Sequence, residues 1–133
     1  MLAAGAGTRF GTTKQLADLD GRPLLEHAIH ALVDSPVERV VVVLGARADQ
    51  VTAGVDPHGA QMIFCERWEE GQSASLACGL AALSDCEAVV ITLGDQPLID
   101  GSVIRDVVSA WRTARPSRGS PPPTGWPGRS RAN

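Results

Sequence analysis

Aromatic residues are scarce in this chain of 133 residues, which has three Trp, two Phe and no Tyr. Single-stranded nucleic acids are held largely by stacking on aromatic rings, so a surface of that kind is not expected. Positive charge is not in excess either, because the formal net charge is −3. This excludes a broad basic field for polyanions, and any recognition of phosphate must be local.

Cysteines and long apolar runs are also few. Cys65, Cys78 and Cys86 are an odd number, and no pair has CxxC spacing. The pattern therefore favours reduced thiols over a disulfide framework or a zinc site. The longest apolar run, residues 40–44, is far too short to span a membrane, and no basic stretch precedes an apolar one at the N-terminus. We expect a cytoplasmic location.

The composition changes sharply after residue 114. Residues 1–114 alternate apolar runs with amphipathic stretches, whereas residues 115–133 read RPSRGSPPPTGWPGRSRAN and offer almost nothing to bury. Such a tail cannot repay the entropy lost on ordering, so we predict that it is disordered. The expected organisation is one folded domain, 1–114, followed by a disordered tail, 115–133.

Continuous β-branched runs predict strands that are covered on both faces. They occupy residues 39–44 (RVVVVL) and 88–93 (AVVITL), and residues 61–65 (QMIFC) form a weaker third strand. Only Met1, Leu2 and Ala3 precede the first glycine-rich loop, so at most two or three residues of a strand before it are present. The alternation of these runs with helical patterns predicts an α/β fold with a mostly parallel sheet.

Helical patterns lie between the strands. One begins after Pro23, a favoured first residue of a helix, and a second begins near Ser73. Asp100 is a suitable N-cap for a third helix. The residues of this third helix that we expect to face the core are Val103, Ile104, Val107, Val108 and Trp111.

The glycine-rich loop, residues 2–14 (LAAGAGTRFGTTK), is the first candidate for chemistry. Its glycines let the backbone approach a phosphate closely and turn N–H groups towards it. Arg9 and Lys14 add two positive charges, which suits a triphosphate better than a dinucleotide. The GxGxxxG spacing is not that of a dinucleotide fingerprint, and no acid follows the strand that ends at Leu44. The alternative is a glycine turn with two solvated charges.

Asp95 is the second candidate, in the segment 93–97 (LGDQP). It directly follows a predicted strand, and open α/β sheets bind ligands at that edge. A carboxylate there suits Mg²⁺, which takes one or two carboxylates together with phosphate oxygens. The alternative is an aspartate that opens a turn before Pro97.

The third candidate is the segment 71–75 (GQSAS), which runs into a helix N-terminus. Its hydroxyls and its amide could bond the edge of a base or ribose. The alternative here is a serine that caps the helix, and Ser73 suits that role better than Ser75.

In this order the three pieces resemble the MobA-like NTP transferases, and most closely their molybdenum-cofactor cytidylyltransferase branch. The matching text is LAAGAGTRFGTTK at 2–14, GRPLLEH at 21–27, WEEGQSASLACGL at 68–80 and LGDQP at 93–97. The resemblance covers residues 1 to 114. It implies a Rossmann-like nucleotide-diphosphosugar transferase fold with helices on both faces of the sheet. It also implies Mg²⁺-dependent transfer of NMP from an NTP to a phosphate, with release of pyrophosphate.

Carried over to this sequence, the resemblance implies roles for individual residues. Gly5 and Gly7 bring backbone amides to the phosphates. Ala3, Gln72 and Ser75 touch the base or ribose, and the LAAG text favours CTP over GTP. The implied catalytic residues are Arg9, Lys14 and Asp95, with Asp95 also the Mg²⁺ ligand. The implied nucleotide-binding residues are Leu2, Ala3, Ala4, Gly5, Gly7, Arg9, Lys14, Gln72 and Ser75.

Two departures from the family pattern matter. The strand before LAAG is nearly missing, and the tail stands where the family has its acceptor-binding half. We therefore predict a truncated member, with a fold that is incomplete at both ends. The acceptor implied for the complete enzyme is a small phosphorylated molecule such as molybdopterin. The alternatives are a non-catalytic nucleotide-binding remnant and, less favoured, a fragment of a dinucleotide-binding dehydrogenase.

Overall fold

A computed structural model describes residues 1–7 and 13–115 of the chain. The strands are β1 (Leu2–Ala3), β2 (Asp18–Leu19), β3 (Arg22–Pro23), β4 (Val41–Leu44) and β5 (Gln61–Phe64). The α-helices are α1 (Leu24–Val33), α2 (Ala48–Gly54), α3 (Gln72–Ala82) and α4 (Gly101–Ala114). Short 3-10 helices span Lys14–Leu16 and Trp68–Glu70. Arg9 and the predicted tail from residue 116 onward lie outside the described residues.

The main sheet is parallel, in the order β1, β4, β5. Leu2 stands opposite Val43, and Val41 stands opposite Gln61. All four residues of β4 are buried, as its unbroken β-branched sequence predicts for a strand covered on both faces. The predicted α/β fold with a parallel sheet is confirmed. The antiparallel pair β2–β3 and the helix α2 were not predicted, since each is too short to show a periodic pattern.

The predicted strand at residues 88–93 is wrong in its extent. Within the described residues its link to the sheet is a single bridge between Leu2 and Leu93. Leu2 N–H donates to the carbonyl of Thr92 at 2.8 Å, and Gly94 N–H donates to the carbonyl of Leu2 at 2.9 Å. Because β1 is only two residues long, it offers no ladder to the rest of the run. The segment nevertheless lies beside β1, which therefore runs between β4 and Leu93.

Alternate residues of β4 point to two different helical layers. On one face Val42 packs in a cluster with Leu25 and Ile29 of α1, both fully buried. On the other face Val43 belongs to a cluster with Cys65, against which α3 packs. A fully buried Leu or Ile side chain contributes about 1.5–3 kcal/mol through removal of apolar surface from water. The helices thus lie on both faces of the sheet, as predicted.

Asp100 caps α4, as its position predicts. A carboxylate oxygen of Asp100 accepts from the backbone N–H of Ser102 at 2.8 Å and of Val103 at 3.3 Å. Hydrogen bonds from Ser102 and Val103 hold the pKa of the Asp100 carboxyl below its usual value. The charged form is therefore the one that the start of the helix stabilises.

Two of the five residues of α4 that were predicted to face the core are buried. Ile104 and Val108 are buried in a cluster with Leu32. Val103, Val107 and Trp111 are instead 45%, 49% and 37% exposed. The apolar residues of α4 are spaced as in a helix with one wide buried face. The described part of the chain packs against only one side of that face, so the other side stays exposed.

Cys65 and Cys78 form a disulfide, with a Cα–Cα distance of 6.0 Å. The prediction of three reduced thiols is therefore wrong for this pair, while Cys86 is free. Cys65 follows β5, and α3 turns back across the sheet so that Cys78 meets it. An odd cysteine count cannot reveal such a meeting. None of the helices in the described ranges is long and apolar enough to cross a membrane.

Gly45 is expected to tolerate no side chain. A Cβ at this position would lie 2.5 Å from the Cβ of Trp68 and 2.7 Å from the carbonyl oxygen of Ala4. We expect Gly45→Ala to lower the free energy of unfolding by about 1–3 kcal/mol, the usual range for overpacking. Urea denaturation measures this. Gly54→Ala is the control, because its Cβ would meet only the flexible end of Leu16. Equal losses in the two variants would contradict the steric argument.

The disulfide is expected to stabilise the domain measurably. The two cysteines are separated by 13 residues in sequence. Closing a loop of this length lowers the chain entropy of the unfolded state, which stabilises the folded state by about 3 kcal/mol. A reductant should lower the melting temperature of the native sequence but not that of Cys78→Ser, and Cys86→Ser should keep the native response. Alkylation before lysis should label one thiol per chain. Three labelled thiols per chain would contradict the Cys65–Cys78 disulfide.

Candidate functional site

Three segments that are distant in sequence line one cavity of about 490 Å³ at the carboxyl end of β1. They are the glycine-rich loop with Lys14, the turn after Leu93, and the start of α3. The predicted site residues in the lining are Leu2, Ala3, Ala4, Gly5, Gly7, Lys14, Gln72, Ser75 and Asp95. The structure therefore brings together every predicted site residue that it describes. Arg9 lies outside the described residues, so its role stays a prediction.

The described part of the glycine-rich loop is held from two sides. Ala46 N–H donates to the carbonyl of Ala4 at 3.2 Å. The Gln15 side-chain amide donates to the carbonyls of Ala3 at 2.9 Å and Gly5 at 3.1 Å. Gly7 has a φ of 59°, a left-handed conformation that favours glycine. A Cβ built on Gly5 would meet no atom within 4 Å, so the loop opens directly onto the cavity.

Lys14 and Asp95 meet at the cavity, 81 residues apart in sequence. The Lys14 Nζ lies 3.0 Å from a carboxylate oxygen of Asp95, and the two side chains are 33% and 49% exposed. An ion pair exposed to this degree contributes only about 0–1 kcal/mol. A ligand with its own charges can therefore separate the pair at little cost. The geometry presents one cationic and one anionic group side by side over the loop.

The turn that carries Asp95 is closed without its side chain. Gln96 N–H donates to the carbonyl of Leu93 at 3.4 Å, and the Asp95 carboxylate is directed to Lys14 instead. The turn packs tightly from below, because a Cβ on Gly94 would lie 2.9 Å from Leu25 Cδ1 and 3.0 Å from Ala3 Cβ. The alternative in which Asp95 serves the turn is not supported.

The start of α3 supplies the third wall. Gly71 is its N-cap residue, with a φ of 110°, and among the described residues no side-chain hydrogen bond caps this helix. The alternative role of Ser73 as a capping residue is therefore wrong. Ser75 is 3% exposed, whereas Gln72 is exposed at the rim. Both lie within the loop that the Cys65–Cys78 disulfide closes.

Sequence reasoning missed part of the lining, which also contains Gln15, Trp68, Glu69 and Gly94. Trp68 packs where Gly45 leaves room for it, and Glu69 adds a second carboxylate. Gln15 carries no charge, and its only signal was its place beside Lys14. No cluster of three or more His, Cys, Asp or Glu in the described ranges could hold a metal ion by itself. A cation here would need further oxygen ligands, from a substrate or from water.

The sequence over residues 1–128 matches the MobA-like NTP transferase domain. This chain belongs to that family. The predicted resemblance is confirmed, and membership excludes the dehydrogenase fragment. The choice of the molybdenum-cofactor branch stays a prediction.

The curated relatives that this chain matches are longer than the chain itself. The bifunctional protein GlmU of Corynebacterium aurimucosum is 36% identical over 118 residues, which is 83% of this chain but 24% of that protein. The chain thus spans about a quarter of the length of the curated relatives it matches. The crystal structure of Rv0371c from Mycobacterium tuberculosis H37Rv is similar with a TM-score of 0.72 and 28% identity, covering 84% of this chain and 58% of that one.

The manganese complex of Rv0371C from the same organism has a TM-score of 0.70 at 24% identity, and the similarity covers 84% of this chain and 57% of that chain. At this identity it supports the fold alone. Together with Rv0371c, it confirms a Rossmann-like nucleotidyltransferase fold for the described part of the chain.

Lys14 is expected to recognise phosphate. Lys14→Ala should weaken binding of CTP by about ten- to a hundredfold, since a charge-assisted contact contributes about 1.5–3 kcal/mol. Binding of cytidine, which has no phosphate, should change little. Isothermal titration of both ligands measures the difference, and Arg22→Ala, an exposed cation on β3, is the control. Equal losses for the two ligands would show that Lys14 serves the fold rather than the phosphates.

Proposed function

We propose that this domain binds an NTP with a divalent cation in the cavity and transfers NMP to a phosphorylated small molecule, releasing pyrophosphate. The observation that carries the proposal is the Lys14–Asp95 pair at 3.0 Å beside a backbone loop that opens onto the cavity. Membership of the MobA-like NTP transferase family supports the same reaction.

The donor set fits a hard cation. Asp95 is a half-exposed carboxylate in the cavity, Glu69 is a second one in the lining, and phosphate oxygens complete the kind of shell that Mg²⁺ takes. When bound, the cation would offset negative charge on the phosphates. Rv0371C, a protein of the same fold, forms a complex with manganese, which is a divalent ion. We propose Asp95 as the protein ligand and Mg²⁺ as the natural ion.

Binding would exchange the partners of one ion pair. Asp95 would release Lys14 to bind the cation, and Lys14 would turn to the phosphates. Because the exposed pair contributes little in the free protein, about 0–1 kcal/mol, this exchange costs little. Arg9, four residues after Gly5, is proposed to join Lys14 on the phosphates. The base and ribose would lie against Ala3, Gln72 and Ser75.

The reaction itself needs positioning and charge stabilisation rather than proton transfer. An oxygen of the acceptor phosphate attacks the α-phosphorus of the NTP, and the bond from that phosphorus to the bridging oxygen of the β-phosphate breaks. Pyrophosphate leaves with the electron pair. An ionised phosphate is already a nucleophile and needs no general base. Fixed positive charge and backbone N–H groups beside the leaving pyrophosphate lower the barrier.

CTP is the nucleotide we favour over GTP, on the LAAG text of the loop, and molybdopterin is the acceptor we favour. A sugar phosphate is the second acceptor, because the fold implied by the resemblance is that of nucleotide-diphosphosugar transferases. The test is to incubate the protein with Mg²⁺, with CTP or GTP, and with each acceptor in turn, and to measure the pyrophosphate released.

Nucleotide binding without turnover is the second candidate function. The cavity favours it, because its lining contains the described residues that the family resemblance implies for nucleotide binding. Binding of CTP with no pyrophosphate release from any acceptor would support this role and contradict transfer.

Asp95→Asn is expected to abolish the dependence of CTP binding on the cation. The neutral amide keeps the shape but loses the charge that holds a divalent ion. Titration of Mn²⁺ with CTP, followed by electron paramagnetic resonance, measures the bound metal. Asp106→Asn, which removes an exposed carboxylate from α4, is the control. Cation-dependent binding that survives in Asp95→Asn would remove Asp95 from the site.

A further inference from the structure

Gln15 is a buried polar residue beneath the glycine-rich loop, with 8% of its surface exposed. Its Nε2 lies 2.9 Å from the carbonyl oxygen of Ala3 and 3.1 Å from that of Gly5. Carbonyl oxygens only accept hydrogen bonds, so the amide must present its NH₂ end to both. The two N–H bonds of a single nitrogen thus hold two carbonyls of the same loop.

Fixing a carbonyl also fixes the N–H group that follows it. In a trans peptide the C=O of one residue and the N–H of the next point in opposite directions. Because the carbonyl of Ala3 points to Gln15, the N–H of Ala4 points away from Gln15. In the same way, the carbonyl of Gly5 points to Gln15 and the N–H of Ala6 points away from it. Both N–H groups are directed away from the buried amide.

The residues that carry these N–H groups line the cavity. Ala4 and Ala6 both belong to its wall. In the described ranges, none of the backbone hydrogen bonds of the loops uses the N–H of Ala4 or Ala6 as a donor. Two N–H groups that both face away from Gln15, with one residue between them, form a concavity that suits an anion.

We propose that Gln15 is a positioning residue, which sets the backbone amides of Ala4 and Ala6 to receive the oxygens of a diphosphate group. The inference rests on the proposed function, since it names how the same cavity recognises the leaving pyrophosphate. Gln15 itself touches no phosphate in this arrangement. Its role is to keep two carbonyl oxygens, which would repel phosphate, away from the anion.

Gln15→Met is the test variant, because methionine has a similar length and volume but no N–H. The carbonyls of Ala3 and Gly5 would lose their donors, and the peptides would be free to rotate. We expect the affinity for inorganic pyrophosphate to fall about ten- to a hundredfold, and that for cytidine to change by less than about threefold. Gln61→Met, an exposed glutamine at the start of β5, is the control.

The measurement is a titration of ¹⁵N-labelled protein with inorganic pyrophosphate, followed by amide NMR. In the native sequence and in Gln61→Met the Ala4 and Ala6 amide signals should shift, and in Gln15→Met these shifts should be lost while the rest of the spectrum is kept. Native affinity in Gln15→Met would overturn the inference, as would an equal loss of cytidine binding. If Gln15→Met does not fold, the native protein alone tests the inference. Pyrophosphate that leaves the Ala4 and Ala6 amide signals of the native protein unshifted would overturn the inference.

The two proposals fail separately. Pyrophosphate binding at Ala4 and Ala6 without nucleotidyl transfer from CTP would contradict the proposed reaction and leave the role of Gln15 intact. Transfer that proceeds equally well in Gln15→Met would contradict the role of Gln15 and leave the reaction intact.

Discussion

The pairing of β1 with its two neighbours is the constraint on which the site depends. Val43 N–H donates to the carbonyl of Met1 at 2.9 Å on one side, and Gly94 N–H donates to the carbonyl of Leu2 at 2.9 Å on the other. Parallel strands end at a common edge, so these bonds bring the glycine-rich loop and the Asp95 turn to the same place. A strand of two residues thereby sets the relative position of both charged groups.

Much of this arrangement could be predicted, because the informative residues act through local rules. The unbroken β-branched run over β4 requires burial on both faces, and Asp100 has the side chain and position of a cap. The three site segments follow strands or begin a helix, so the topology of a parallel sheet gathers them without further information. Lys14 and Asp95 could therefore be placed in one site from the sequence, though their direct contact could not.

The parts that escaped prediction depend on what lies nearby in space. Residues 88–93 have the composition of a strand, but a strand forms only where a partner offers enough backbone. Cys65 and Cys78 pair because α3 returns across the sheet, which no spacing rule indicates. Gln15 has no motif of its own, since its importance comes from the direction of two carbonyl groups. In each case the missing information was the spatial arrangement of residues that are not adjacent in sequence.

Gly94 couples the hydrophobic core to the charged rim of the cavity. The turn lies so close to Leu25 and Ala3 that its position is set by how deeply those side chains pack. Leu25 is a fully buried residue of α1 with no polar atom in its side chain, yet it packs directly against the turn that carries Asp95. The packing of the core and the position of the Asp95 carboxylate are thus linked in this domain. Substitutions that repack the core for greater stability would therefore also shift the Asp95 carboxylate and change the electrostatic potential at the opening of the cavity.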